Sequence, residues 1–268
     1  MKYGVTIRNM GPESMPDVML ECARAAENAG IDSIWITDHL AIPPDDSEGS
    51  GGRYVDPLIT LAWLANGTSR IQLGTGVLIL PYRDALVTAK QVASLQELSG
   101  ERLLLGVGIG WMDAEFRAVG VDRHRRGRIS DDALKLLNQC FGSDVSERYG
   151  QEFIFRPRPK KPPVYVGGKA PHALRRAAQY GDGWLPMGLK VEEVEHSIQS
   201  YEQLTARFGR ARGSINVMGG LPLNNRSQVR EQIEAYDGAG IDSYICNIRY
   251  KTIDDYHRQL DSLASAIK

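Results

Sequence analysis

The sequence predicts a (β/α)8 barrel, the TIM-barrel fold, on two observations. Short apolar segments with strand character alternate strictly with segments of helical period, and such alternation builds a parallel sheet with helical crossovers. Eight of these units fit into 268 residues, close to the roughly 250 that a closed eight-unit barrel requires. That economy favours closure over an open, doubly wound sheet, and the whole chain, 1–268, reads as one barrel domain.

The units follow in order. A strand at 3–8 leads to a helix at 14–29, with Gly30 as its C-terminal stop. A short apolar strand at 32–37 precedes a helix opened by Asp56-Pro57 and ended near Asn66-Gly67: an N-cap, a first-turn proline, a glycine after the last turn. The third unit is a strand at 71–80 and a helix at 84–98 stopped by Gly100. The fourth strand is 102–107. Residues 111–162 read as an insertion on the fourth unit, with a helix at 131–140 and the proline-rich run 156–159. The rhythm resumes with strands at 163–166, 182–185, 214–218 and 241–246, and helices at 171–180, 191–208, 227–236 and 252–267.

Composition narrows the function classes. Apolar residues make up 42% and charged residues 24%, the balance of a globular protein with a sizeable core. Thirty-two basic and 33 acidic residues leave a net charge of −1, so no broad positive field is available for nucleic acid. Cys22, Cys140 and Cys246 are scattered and form no CxxC pair, which points to buried thiols in a reducing compartment. The chain runs from Met1 straight into its first strand, without a leader-like apolar segment, and no apolar run reaches the roughly 18 residues of a membrane span. A cytoplasmic location without membrane association is the expectation.

In a barrel of this kind chemistry belongs to the C-terminal strand ends. The second strand ends Thr37-Asp38-His39. A carboxylate beside an imidazole suits general acid–base work, Asp38 setting the tautomer of His39; the alternative is that both residues cap a loop. The third strand carries Gly74-Thr75-Gly76-Val77. Glycines inside a strand weaken it unless a bulge or a close ligand needs them; a ligand-facing bulge is the favoured reading, a packing kink the alternative. The fourth ends Gly106-Val107-Gly108-Ile109-Gly110-Trp111, where glycines admit a planar or phosphorylated ligand to the backbone, though GxGxG alone is a weak signal. The fifth reads Val166-Gly167-Gly168-Lys169-Ala170-Pro171: two glycines, a lysine and a helix start, which together suit a phosphate or form an ordinary tight turn. Trp184 at the sixth strand is either a wall of the pocket or barrel core. Arg123, Arg125, Arg126 and Arg128 form a basic cluster, a solvated face or a contact for an anionic group. The five histidines show neither HxH nor HExxH spacing, so no metal site is expected, and neither a GxSxG elbow nor a P-loop occurs.

Four stretches, 26–40 (AENAGIDSIWITDHL), 56–80, 89–121 and 162–186 (PPVYVGGKAPHALRRAAQYGDGWLP), together resemble the luciferase-like monooxygenase family, closest to its F420-dependent oxidoreductase branch. Beyond residue 187 the resemblance rests on the βα rhythm. It implies a barrel with an insertion, a homodimer, and a flavin-type ring in the barrel mouth. Asp38 and His39 would lie beside that ring. Thr75, Gly76 and Val77 would back it, with a non-prolyl cis peptide at Gly76-Val77, while Gly108, Gly110, Trp111 and Trp184 would line its pocket and Gly167, Gly168 and Lys169 cradle its phosphate. The implied cofactor is coenzyme F420, with FMN as the alternative, and the implied activity is hydride transfer to or from a small organic substrate. An FMN monooxygenase and a non-catalytic flavin-binding protein are the other readings. A sugar-phosphate dehydrogenase branch has a glutamate proton donor after its fourth-strand glycines. Trp111 stands there instead, which favours an apolar or aromatic substrate. Specificity is expected from the loops 41–54 and 111–162, the first of them lid-like.

Overall fold

The computed structural model describes residues 1–267. The first half runs β1 (Lys2–Thr6), α1 (Pro16–Asn28), β2 (Ser33–Ile36), α2 (Pro57–Gly67), β3 (Gln72–Thr75), β4 (Leu78–Ile79), α3 (Ala85–Leu98) and β5 (Leu103–Gly108). Then come α4 (Asp113–Ala118), α5 (Arg126–Gly142), β6 (Val145–Arg148) and β7 (Gln151–Ile154). The chain closes with β8 (Val164–Gly167), α6 (His172–Tyr180), β9 (Gly183–Leu185), α7 (Val191–Arg207), β10 (Ser214–Gly219), α8 (Arg226–Gly238), β11 (Ser243–Cys246) and α9 (Ile253–Ala266).

The main sheet is ordered β3-β2-β1-β11-β10-β9-β8-β5, and β3 pairs with β5 to close it. Every ladder in it is parallel, so this is the expected (β/α)8 barrel. Among the described residues, no helix is long and apolar enough to cross a membrane.

Local chemistry places the helices. Asp56 and Asp84 accept from two first-turn N–H groups of α2 and α3 respectively, which satisfies donors that a helix start leaves orphaned. At the end of α1, Gly30 takes φ +82°, a conformation that glycine adopts without a Cβ penalty. The barrel encloses Trp35, Leu104, Leu185, Met218 and Ile245. A far larger apolar cluster, including Leu61, Val92, Leu137 and Trp184, fills the layer between strands and helices.

The strand read at 71–80 divides at the non-prolyl cis peptide expected at Gly76-Val77 and resumes as β4, which pairs with β5. One expectation about elements needs correction. The region 111–162 is more than an insertion. Its helix α5 begins at Arg126 rather than 131, packs between α3 and α6, and fills the helix position of the fourth unit. The added elements are the short helix α4 and the antiparallel hairpin β6–β7. The arginine cluster opens α5: Arg128 is 81% exposed beside Asp132, and Arg126 donates to the Arg123 carbonyl.

Candidate active site

His39 sits just past β2, at the C-terminal end of the barrel, with a side chain 20% exposed. The carboxylate beside it is not Asp38. Its Nδ1 lies 2.8 Å from Oε2 of Glu115, which α4 brings to it from the insertion. Glu115 is 1% exposed and also accepts from the backbone N–H groups of Leu40 (2.6 Å) and Ala41 (3.0 Å) and from the Tyr82 hydroxyl (3.1 Å). Burial on its own pushes the Glu115 carboxyl up, but the Ala41 and Leu40 amides and the His39 ring together hold it below the ordinary range. It is therefore an ionised, fully solicited acceptor at neutral pH. Two aromatic rings frame the imidazole: Tyr54 with centroids 4.8 Å apart, and Trp111 edge-on at 6.3 Å. Trp111 itself is 66% exposed.

Asp38 has another task, which overturns its expected role as the orienting partner of His39. Its fully buried side chain points away into an ion pair with the largely buried Arg83. Arg83 Nη1 donates to Oδ2 at 2.6 Å and Nη2 to Oδ1 at 2.8 Å, while the Ile79 N–H reaches Oδ2 at 2.7 Å. Arg83 also bridges to Asp56, the N-cap of α2, at 3.0 Å. Burial raises the Asp38 carboxyl, and Arg83 offsets that only in part. The carboxylate thus fastens β4, just past the Gly76-Val77 peptide, to the end of β2.

The strand-end glycines first serve packing. A Cβ on Gly74 would overlap the Trp35 indole, and one on Gly76 would come within 2.6 Å of the Met218 methyl. Gly108 and Gly167 flank Val77, whose methyls would lie 2.6 and 2.9 Å from Cβ atoms placed there. Gly110 adopts φ +74°, and a Cβ there would meet Ile79 and Phe116. Thr75 is fully buried and its hydroxyl donates to the Gly106 carbonyl at 2.7 Å, so it presents no free polar group to a ligand. These residues converge on Val77, which is half-buried and packs over both the barrel interior and the Ile79–Tyr82–Phe116 cluster.

Gly167, Gly168 and Lys169 form the turn into α6, with Gly168 at φ +114° and both Gly168 and Lys169 exposed. Among the described residues no side chain caps α6, and although the Ala173 N–H donates to the Lys169 carbonyl at 3.3 Å, the positive dipole end of the helix still faces this exposed turn, a setting that suits an anion. Trp184 does not line the mouth: it is completely buried in the strand–helix layer, and its indole N–H donates to the Gly168 carbonyl at 2.8 Å. Its function is to brace that turn.

Sequence reasoning missed a cavity of about 630 Å³ at the mouth, between the C-terminal ends of β1, β2, β10 and β11. Ile7, Met10, Met187, Met218, Ile248 and Tyr250 give it apolar walls, and Thr6, Thr37, Arg8 and Asn247 add polar groups. Its size falls in the range of pockets that hold drug-sized organic molecules. Met218 links it to the Gly76-Val77 peptide. Asn247 is part-exposed on the wall of this cavity. The only signal for these positions was their place after a strand, since no glycine or titratable pair marks them. The 41–54 loop is anchored at its base: Arg53 Nε donates to the Ser14 hydroxyl at 2.8 Å, and Met10 bridges to Tyr54.

Comparison with known proteins agrees with this architecture. The profile of the luciferase-like monooxygenase family matches residues 2–261. An uncharacterized protein of Mycobacterium tuberculosis is 31% identical over 74% of the chain and 75% of its own length. The F420-dependent hydroxymycolic acid dehydrogenase of the same organism is 32% identical over 67% of the chain but 51% of its own length. Among solved structures, the monooxygenase RslO1 from Streptomyces bottropensis superposes with a TM-score of 0.82 at 19% identity, covering 100% of this chain and 98% of that one, a likeness of fold. A closed parallel barrel that breaks its third strand at a Gly-Val peptide, and a family match from end to end, lead to one conclusion: the chain belongs to the luciferase-like monooxygenase family.

Proposed function

We propose that this chain is an F420-dependent oxidoreductase acting on a small apolar or aromatic molecule. The observation that carries the reading is the juxtaposition at one barrel end of an anchored, partly exposed His39 and a methionine-walled cavity of about 630 Å³. The F420-dependent relative supports this choice of cofactor. The residues present fit such a group: the exposed Gly168-Lys169 turn at the start of α6 for its phosphate, and an apolar-walled cavity at the barrel mouth for its ring.

F420, when bound, supplies two-electron hydride chemistry. The chain's own residues do the rest. Gly167, Gly168 and Lys169, with the start of α6, would hold the phosphate, on a turn that Trp184 keeps in place through the Gly168 carbonyl. Val77 would back the ring. Met10, Met187 and Met218 offer an adaptable apolar wall to the substrate. His39 would take the hydroxyl proton of an alcohol whose hydride the bound cofactor would accept, and would return it in the reverse direction.

An exposed apolar face supports a reading as a homodimer. Helix α2 buries Leu58, Leu61 and Leu64, yet leaves Ile59 63% and Trp63 40% exposed on its other side, and its neighbour α3 leaves Val87 55% exposed. A helix that is apolar all round belongs in an interior, which a second copy would provide.

Fluorescence titration of the apo-protein with F420 and with FMN tests the cofactor. Tight binding of F420, and its reduction by a member of a panel of secondary alcohols, is the expected result. Tight binding of FMN alone overturns it, and stoichiometric binding without turnover of any donor points to a storage role.

A further inference from the structure

We propose that Glu115 is the positioning residue for His39, fixing the imidazole as its Nδ1–H tautomer so that Nε2 alone is left to carry a proton. This rests on the reading of His39 as the proton carrier, but it can be judged without it.

The argument is one of hydrogen-bond inventory. An ionised carboxylate only accepts, whereas a neutral imidazole has one donor nitrogen and one acceptor nitrogen. Glu115 has no lysine or arginine partner among the described residues, and each of its oxygens is approached by two groups. Oε1 receives the Leu40 and Ala41 amides, which can only donate. Oε2 receives the Tyr82 hydroxyl and the His39 Nδ1. A lone pair on Nδ1 would face a carboxylate oxygen at 2.8 Å, so Nδ1 must carry hydrogen, and the remaining lone pair of the neutral ring is on Nε2. The carboxylate cannot serve as the proton donor itself, because it is ionised and its acceptor sites are filled. It acts through His39, as the buried aspartate of a serine-protease triad acts through its histidine.

The placement of Glu115 gives this a structural meaning. The carboxylate comes from α4, a helix of the inserted region, and it grips three consecutive residues, His39, Leu40 and Ala41, where the 41–54 loop departs from β2. Tyr54, at the far end of that loop, packs against the same imidazole. The two specificity loops therefore meet at His39, and Glu115 is the group that joins them.

Glu115→Gln separates tautomer control from simple scaffolding. The glutamine Oε1 can still accept from Leu40 and Ala41, but its NH2 has no lone pair to offer His39, so Nδ1 becomes the acceptor and the hydrogen moves to Nε2. Nitrogen-15 NMR of histidine-labelled apo-protein at pH 8 reads this directly, the His39 resonances being assigned by their loss in His39→Ala. The expected result is a protonated Nδ1 in the unaltered chain, a protonated Nε2 in E115Q, and F420 affinity within about threefold. With an alcohol that the unaltered enzyme oxidises, E115Q turnover should fall about 100-fold or more, since a positioned acid–base group is worth about 10²–10⁴ in rate. A protonated Nε2 in the unaltered chain overturns the proposal, and so does an unchanged tautomer in E115Q. Should E115Q not fold, the spectrum of the unaltered chain decides alone. If His39→Ala turns over normally while the tautomers behave as expected, the proton-carrier reading falls and the positioning inference stands.

Discussion

Replacing Asp38 by asparagine isolates the buried ion pair that fastens the broken third strand. The shape is retained, but one carboxylate oxygen becomes an NH2 that meets either an Arg83 N–H or the Ile79 N–H, donor against donor. Asp38 is fully buried and Arg83 12% exposed, so water cannot repair the mismatch. The loss of a charge-assisted hydrogen bond, about 1.5–3 kcal/mol, adds to an unsatisfied buried donor at about 1–3 kcal/mol. Arg83 keeps its bond to the partly exposed Asp56 at 3.0 Å, which softens the sum to about 3 kcal/mol, at the lower edge of the range for breaking a buried pair. For a chain of this length that is about 6–12 °C in Tm. The pair as a unit contributes much less, because burial raises the Asp38 carboxyl more than Arg83 lowers it. The double variant D38N/R83M should therefore lose about 1.5 kcal/mol or more less than the sum of the two single losses, a coupling in the range of residues in direct contact. Denaturant unfolding of the four proteins, with equal m-values required for comparison, supplies the cycle. A D38N loss below about 1 kcal/mol, or additive single effects, refutes the reasoning, because either means that Asp38 and Arg83 do not share a dry site.

Other perturbations probe other parts of the chain. Glu27 accepts from the backbone N–H groups of Ser69, Arg70 and Ile71, and although burial pushes it up, those donors bring its carboxyl down to about 2. A depressed carboxyl stabilises the folded state above its unfolded pKa, so Glu27→Gln should lower stability by about 1 kcal/mol at pH 7, after discounting for partial exposure. The difference from the unaltered chain should shrink as the pH falls from about 4.5 toward 2, read by denaturant melts across pH. In Gly106→Ala the new Cβ overlaps the Thr75 carbonyl oxygen, which is backbone and cannot swing aside, so a loss of about 3 kcal/mol is expected in the same melts. Trp184→Phe removes the donor that braces the Gly168 carbonyl and should weaken F420 binding by about 3–10-fold, a typical net hydrogen-bond contribution, measured by fluorescence titration. Trp63→Glu puts a charge on the apolar face of α2 and should yield monomers in sedimentation velocity.

The barrel was legible because its signals are local and periodic: caps such as Asp56 and Asp84, stops such as Gly30, and strands apolar enough to be buried on both faces. The irregularity in the third strand was legible in Gly74 and Gly76, but its cis bond only through the family likeness, since nothing in Gly76-Val77 itself distinguishes a cis bond from a trans one. The insertion was misjudged because the α5 pattern begins in a run of arginines, Arg123 to Arg128, whose charge hid a helix start.

Within the site, titratable residues were found but not their partners. Asp38 and His39 are adjacent in sequence, and adjacency suggested a pair. Consecutive residues past a strand end point their side chains in different directions, so the two diverge: Asp38 inward to Arg83, 45 positions away, and His39 to Glu115, 76 positions away. A single sequence carries no record of such long-range pairs. The two readings of the glycines stayed open for a related reason. Their lack of a Cβ is visible in the sequence, but whether the space is left for a ligand or for Trp35, Val77 and Met218 depends on residues across the barrel. What the sequence located was the rim on which chemistry could occur. Which carboxylate serves which cation or imidazole was settled by tertiary packing, and it assigns the buried Asp38 to holding the frame and the inserted Glu115 to holding the imidazole.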